Sequence, residues 1–228
     1  MNPVSSARYV IRRTCWHVSC WFSRPGLHRW VKESRKAALE PVLSVGAGGI
    51  IGKIVETGDC TTVDFDPAYL PDIVADVCQL DEHIQAETFA SVFLIEVLEH
   101  VQDPATAIEQ LHRVIKPGGT LYLSVPYAIE VHLAPHDYWR FTPFALKHLL
   151  ADFQDVKIVP RGGYVTASMT PLLRLSFQPS WFDKCVGRVL LFFCGLLFPL
   201  LWLLDRAIQS DAYASGYHVT ATKPSDMS

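Results

Sequence analysis

The run Glu96–Pro126, EVLEHVQDPATAIEQLHRVIKPGGTLYLSVP, decides how the rest of the chain is read. It opens as an acidic turn, passes into a capped amphipathic helix, and closes with a Gly-Gly stop and a strand. Asp103 is a natural N-cap, because a short carboxylate accepts from the unsatisfied amides of a first turn. Pro104 suits the first helical position, where no N–H is required. Ile108, Leu111 and Ile115 fall on one helical face. Pro117-Gly118-Gly119 predicts the end of that helix, and Thr120–Val125 has strand composition.

Working outward, further strands are predicted over 41–45, 60–64, 72–76, 91–95, 155–159 and 216–223. Thr142-Pro143 repeats the cap-plus-proline logic and opens a helix that carries Leu146, Leu149 and Leu150 inward. Strand and helix patterns alternate over 41–160. This predicts an α/β, Rossmann-like, seven-stranded and mostly parallel sheet with helices on both faces, and a hydrophobic helical insertion before the last strand. The expected parts are a basic, Trp-rich arm at 1–40, a core at 41–160, the insertion at 161–215, and the last strand and tail at 216–228.

Bulk composition narrows the class. The 228 residues are half apolar, with a net charge of -3, which excludes a disordered or strongly charged chain. The charge is unevenly spread. Residues 1–40 hold eight Lys or Arg and two acids, so an acidic body follows a basic arm. Such an arm suits either an anionic membrane surface or plain solvation. Cys15, Cys20, Cys60, Cys78, Cys185 and Cys194 form no CxxC pair and no zinc spacing, so a reducing, cytoplasmic setting is expected. His17 and two serines interrupt the apolar stretch 14–22, so no secretory signal is predicted. The Arg-rich, acid-poor start also fits a mitochondrial transit peptide.

After the first strand comes Gly46-Ala47-Gly48-Gly49-Ile50-Ile51-Gly52. A Gly-rich strand-to-helix turn lets a ligand approach the backbone, although many such turns are only tight connections. Asp64 lies 18 residues beyond Gly46, at the end of the second strand, where a carboxylate can accept from ribose hydroxyls. Asp76-Val77 follows the third strand. Alone, each Asp reads as a strand-end turn residue. A nicotinamide-binding domain would use Gly46, Gly48 and Gly52, but it has no role for the Glu96–Pro126 run.

From the LEH triplet at 98–100 to the KPGG turn at 116–119, the chain closely resembles class I S-adenosylmethionine-dependent methyltransferases. The resemblance covers about residues 41–160, and more weakly the last strand. It implies S-adenosylmethionine as cofactor, held by Gly46, Gly48, Gly49, Asp64, Asp76, Val77 and Glu96. The chain departs from the family at Ser44, where an acid is usual, and at Ile50, where a third glycine is usual. Some quinone and RNA methyltransferases with a similar ExxEH stretch bind a divalent metal there. Glu96, Glu99 and His100 are plausible ligands, but spacing offers no further one, so no metal is expected.

The second cluster is Pro135-His-Asp-Tyr-Trp-Arg-Phe-Thr-Pro143. It resembles a stretch in bacterial methyltransferases often associated with cell-surface polysaccharide or lipid biosynthesis. His136 is the candidate base with Asp137 orienting it, and Tyr138 or Trp139 would line an acceptor pocket. His100 is a further catalytic candidate. The alternative is a structural loop in which Arg140 pairs with Asp137.

Val189–Leu204, VLLFFCGLLFPLLWLL, carries no charge. As one helix it would span about 24 Å, short of a roughly 30 Å hydrocarbon core, and Pro199 would kink it. A single crossing would also strand the last strand away from its sheet. The expectations are therefore an interfacial helix, a re-entrant hairpin or burial in core or partner, with Trp16, Trp21 and Trp30 of the arm available at the same surface. The expected function is methyl transfer to a glycan, lipid-linked or quinone-like acceptor at the inner face of a membrane, with no nucleic-acid partner. The alternatives are an inactive scaffold of the same fold and a soluble small-metabolite methyltransferase.

Overall fold

The computed structural model describes residues 24, 26–46, 48–208, 210 and 212–225. Predicted features at Cys15, Trp16, His17, Cys20 and Trp21, and the signal and transit readings, lie outside these residues. The chain divides into two compact units. One takes in 27–127, 131–159 and 217–228, the other 1–26, 128–130 and 160–216.

The first unit is built on a seven-stranded sheet of β1 (Val42–Val45), β2 (Cys60–Asp64), β3 (Ile73–Val74), β4 (Phe89–Ile95), β5 (Ile115–Pro126), β6 (Gln154–Arg161) and β7 (Gly216–Thr222), in the order β3-β2-β1-β4-β5-β7-β6. β1 pairs in parallel with β2 and β4, β2 with β3, and β4 with β5. The central strands β1 and β4 are mostly apolar and buried on both faces, as strands covered by helices on both sides are. β6, at the sheet edge, instead alternates towards solvent and carries Asp155 and Lys157, which discourage further pairing.

The helices of this unit are α1 (Leu27–Ala37), α2 (Gly49–Val55), α3 (Pro104–Val114) and α4 (Pro143–Leu149). Asp103 caps α3 by accepting from the Thr106 amide at 3.1 Å, and Thr142 caps α4 from the Ala145 amide at 3.2 Å. α3 ends at Val114, one residue before Ile115. Ile115 is buried as the first residue of β5, and Pro117-Gly118-Gly119 lies within that strand's span.

α1 corrects the expected arm boundary. Leu27 and Val31 are fully buried against Val42, Val55, Phe93 and Tyr122. Each is worth about 2 kcal/mol of burial. Trp30 packs edge-on to Tyr122 and His218, so it belongs to this core and is not available to a membrane. Basic residues on the outer side of α1 gave the segment its arm-like composition.

The second unit is helical: α5 (Tyr164–Arg174), α6 (Trp181–Leu196) and α7 (Phe198–Ala207). The apolar run 189–204 is two helices broken at Leu197 and turned through 76°. Pro199 sits in the first turn of α7, where it starts a helix. Asp205 accepts from the Gly163 and Thr166 amides at 3.2 and 3.0 Å and so caps α5 from α7. Leu173 and Cys194 form its small core, with Leu190, Leu191 and Leu201 packed against them. Arg174 pairs with Glu130. Among the described residues no single helix is long and apolar enough to cross a membrane.

Candidate active site

The parallel registers place the ends of β1, β2, β4 and β5 at one edge: Val45 lies beside Val63 and Leu94, and Ile95 beside Ser124. The chain order reverses between β1 and β4, the switch point where open α/β sheets bind ligands. Gly46, Asp64 and Glu96 each follow or end one of these strands, and Asp76 follows β3 closely.

Gly46 has φ +88°, and a Cβ there would come within 2.5 Å of Val97 Cγ2. Gly48 has φ +87°, and its Cβ would meet the Tyr69 ring at 3.0 Å. Both positions need glycine, so the turn keeps bare backbone facing the switch point. Ala47 between them lies outside the described residues, and Gly49 begins α2. Asp64 is buried, with Oδ1 accepting from the Asp66 amide at 2.9 Å. Asp76 accepts from the Cys78 amide at 2.9 Å, capping a short 3₁₀ turn that begins at the buried Val77. Glu96 has φ +56°, a strained conformation for a residue with a Cβ. β5 holds it twice: its amide donates to the Ser124 carbonyl at 2.8 Å, and its carboxylate accepts from the Ser124 hydroxyl at 2.9 Å.

The two clusters that follow β4 and β5 are one structure. The amides of Tyr138 and Trp139 donate to the Glu99 carbonyl at 2.9 and 3.2 Å, and Trp139 Nε1 donates to the Val101 carbonyl at 2.8 Å. Gln102 Nε2 donates to the Tyr138 hydroxyl at 3.0 Å. His100 Nδ1 lies 2.5 Å from the His136 carbonyl. A carbonyl only accepts, so Nδ1 is the donor in this contact.

That Nε2 lies 3.6 Å from Glu99 Oε1, and His132 Nε2 lies 3.9 Å from the same oxygen. His132 Nδ1 is 3.2 Å from Asp137 Oδ2, and the two imidazoles stand edge to face at 4.8 Å. One ligand atom from each of Glu99, His100 and His132 falls within 4.8 Å of the others, a grouping able to hold a metal ion. The Glu99 side chain is fully buried. A buried carboxyl group is accommodated by taking up a proton, by hydrogen bonds, or by pairing with an imidazolium or a metal ion.

Asp137 does not orient His136. Its carboxylate takes two hydrogen bonds from Arg140, both at 2.7 Å, and one from the His132 amide at 2.7 Å. Burial alone would raise this carboxyl. The Arg140 hydrogen bonds, the His132 amide and the charges of both partners outweigh burial and hold it at about 2. Arg140 therefore pairs with Asp137, and Asp137 serves His132. His136 is exposed, with Nδ1 2.9 Å from the Tyr138 hydroxyl. The residue missed by sequence reasoning is His132. It stands 32 positions beyond His100 in an irregular segment, and no spacing rule links the two.

Comparison with known proteins agrees with this geometry. Residues 43–123 match the family described as "Methyltransferase domain". The chain is 32% identical over 111 residues to the ubiquinone biosynthesis O-methyltransferase of Pseudomonas syringae pv. tomato, covering 42% of this chain and 48% of that protein. It is 34% identical over the same length to that of Pseudomonas paraeruginosa.

Solved structures share this fold. A SAM-dependent methyltransferase from Archaeoglobus fulgidus superposes with a TM-score of 0.53 at 15% identity, over 86% of this chain and 94% of that one. One from Thermotoga maritima gives 0.55 at 14%, over 95% and 97%. The matched region spans about half the length of the curated relatives. S-adenosylmethionine is the cofactor that the matched family and the names of these solved proteins imply. At Gly46 and Gly48 the close approach of Val97 and Tyr69 leaves no room for a Cβ, and the Asp64 carboxylate is held at the end of β2 by the Asp66 amide.

Proposed function

We propose that the chain transfers a methyl group from S-adenosylmethionine to the hydroxyl of a quinone-like small molecule met at a membrane surface. The observation that carries this reading is the convergence of His100, His132 and Glu99 beside the cofactor edge. The name shared by the Pseudomonas relatives supports an oxygen acceptor of the quinone type. The LEH and HDYWRFTP stretches keep lipid-linked and glycan hydroxyls in view, since the same chemistry serves them.

Bound cofactor supplies a sulfonium-activated methyl group. Gly46, Gly48 and Gly49 admit its methionine end to the backbone, Asp64 accepts from the ribose hydroxyls, Asp76 and Val77 meet the adenine, and Glu96 faces the methionine end. Much of the rate comes from alignment. A hydroxyl acceptor must also lose a proton, and His132 Nε2 takes it, with Glu99 balancing the resulting charge. Asp137, fixed by Arg140, positions His132. Tyr138 and Trp139 line the acceptor side. His136, exposed and engaged by Tyr138, passes the role of base to His132.

The test is product formation from labelled S-adenosylmethionine and a set of catechols, with and without prenyl tails. His132→Gln should lower turnover roughly 100- to 10,000-fold while cofactor binding persists. Cofactor binding with no methylated product from any phenol would favour the scaffold reading.

Glu99, His100 and His132 also favour a second reading, in which a divalent metal ion takes the charge-balancing role. Two imidazoles and a carboxylate suit zinc, manganese or iron better than calcium. Such an ion would make the acceptor hydroxyl more acidic. Chelation should then abolish activity and Mn²⁺ or Zn²⁺ restore it, with Glu99→Gln losing the metal-dependent rise in melting temperature. Full activity after exhaustive chelation would exclude the metal ion.

A further inference from the structure

We propose that α6 and α7 form a wedge that inserts into one leaflet of an anionic phospholipid bilayer, with Arg188 binding a lipid phosphate. This deepens the membrane-surface part of the reading above and is independent of methyl transfer.

The two helices face two ways. Leu190, Leu191, Cys194 and Leu201 turn inward on Leu173. The other side is open: Phe192 and Leu196 are each 68% exposed, with Phe193, Leu197, Leu200 and Leu203 beside them. This is one continuous apolar surface at the bend, far beyond scattered single exposures, and it marks an interaction site.

The charges sit at the ends of the wedge. Val189–Leu204 has none, and the flanking groups are Asp183, Lys184 and Arg188 on α6, with Asp205 and Arg206 on α7. Asp205 is spent on the amides and hydroxyl of α5. Arg206 lies over the Trp202 ring at 3.9 Å, an arrangement suited to the headgroup layer. The exposed rim is therefore mostly cationic, complementary to anionic lipid.

Dimensions argue for one leaflet. Eight residues separate Arg188 from Leu196, an arm of about 12 Å. With the arms turned through 76°, the apex reaches roughly 7 Å below the flanking charges. Interfacial helices bury themselves to about that depth, and a span would need about 30 Å.

The stripe Arg188, Leu191, Phe192, Gly195 and Leu196 lines an open groove of about 420 Å³ on α6. A Cβ on Gly195 would meet nothing within 4 Å, so the groove is clear along its floor. A cation at one end of a shallow apolar surface suits a phosphate above acyl chains.

The test is flotation of the full chain with vesicles of phosphatidylcholine alone, or mixed with phosphatidylglycerol, at low and high salt. No cofactor or acceptor is needed, so a failure here is distinct from a failure of methyl transfer. The expected result is flotation with the mixed vesicles that survives high salt. Phe192→Ser/Leu196→Ser, both at exposed positions, should weaken it more than about 100-fold. Arg188→Glu should remove the preference for anionic vesicles, weakening binding to them roughly tenfold or more while sparing neutral ones. Circular dichroism confirms that the variants are folded. Flotation undiminished in the double variant, or lost entirely at high salt, would assign binding to the basic N-terminal residues and overturn the proposal. So would a soluble dimer that the double variant dissociates, since the apolar face would then be covered by a second copy.

Discussion

Glu99 is fully buried beside two imidazoles, and neighbouring groups set the orientation of both rings. The His136 carbonyl makes His100 a donor at Nδ1, and Asp137 stands at Nδ1 of His132, so both rings turn Nε2 towards one carboxylate. Asp137 is ionised down to about 2, below its ordinary value near 4. Its folded-state value is depressed, so its contribution is complete above about pH 4 and is lost as pH falls towards 2. The melting temperature of the native chain should therefore drop over that window more than that of Asp137→Asn, and the gap between them should be constant from pH 5 to 7. A gap that keeps changing above pH 5 would rule out this carboxylate as its source. Little of this was legible in sequence. Of the two readings open at Asp137, orientation of His136 and pairing with Arg140, the loop adopts the second, while the His132 contact had no sequence signal.

At the scale of elements, local chemistry reads well wherever a single physical requirement decides the outcome. Asp103 and Thr142 are caps because their side chains accept from the third amide beyond, and both positions were plain in the sequence. The Gly loop was legible as a turn, but its need for glycine comes from Val97 and Tyr69, on other segments. Gly46→Ala should displace Val97 or the loop and weaken S-adenosylhomocysteine binding at least roughly tenfold, with little change in far-ultraviolet dichroism. Unchanged affinity would place the cofactor elsewhere. α1 was obscured because its outer side is Arg- and Lys-rich, while Leu27 and Val31 make only a narrow buried stripe. The break at Leu197 was half legible: Pro199 announced a disruption, but a proline in the first turn of a second helix differs from one that kinks a continuous helix.

For the whole molecule, alternating strands and helices fixed the sheet in advance, because largely apolar, almost wholly buried β1 and β4 belong in its middle. The reversal of chain order between β1 and β4 then sets where a ligand binds, and the glycines, Asp64 and Glu96 all gather there. The division into two units was less legible. Residues 128–130 join the helical unit because Glu130 pairs with Arg174, a contact 44 residues apart in sequence. The departure at Ser44 bears on the whole account: it is a buried strand residue between Thr62 and Phe93, and it carries no charge to meet the cofactor's amino group. The most direct measurement is calorimetric titration of the full chain with S-adenosylhomocysteine and, in parallel, with NAD. Saturable one-to-one binding of the first alone, abolished by Asp64→Ala, is the predicted result. Heat from NAD, or from neither ligand in a folded sample, would contradict the assignment of this sheet edge to S-adenosylmethionine.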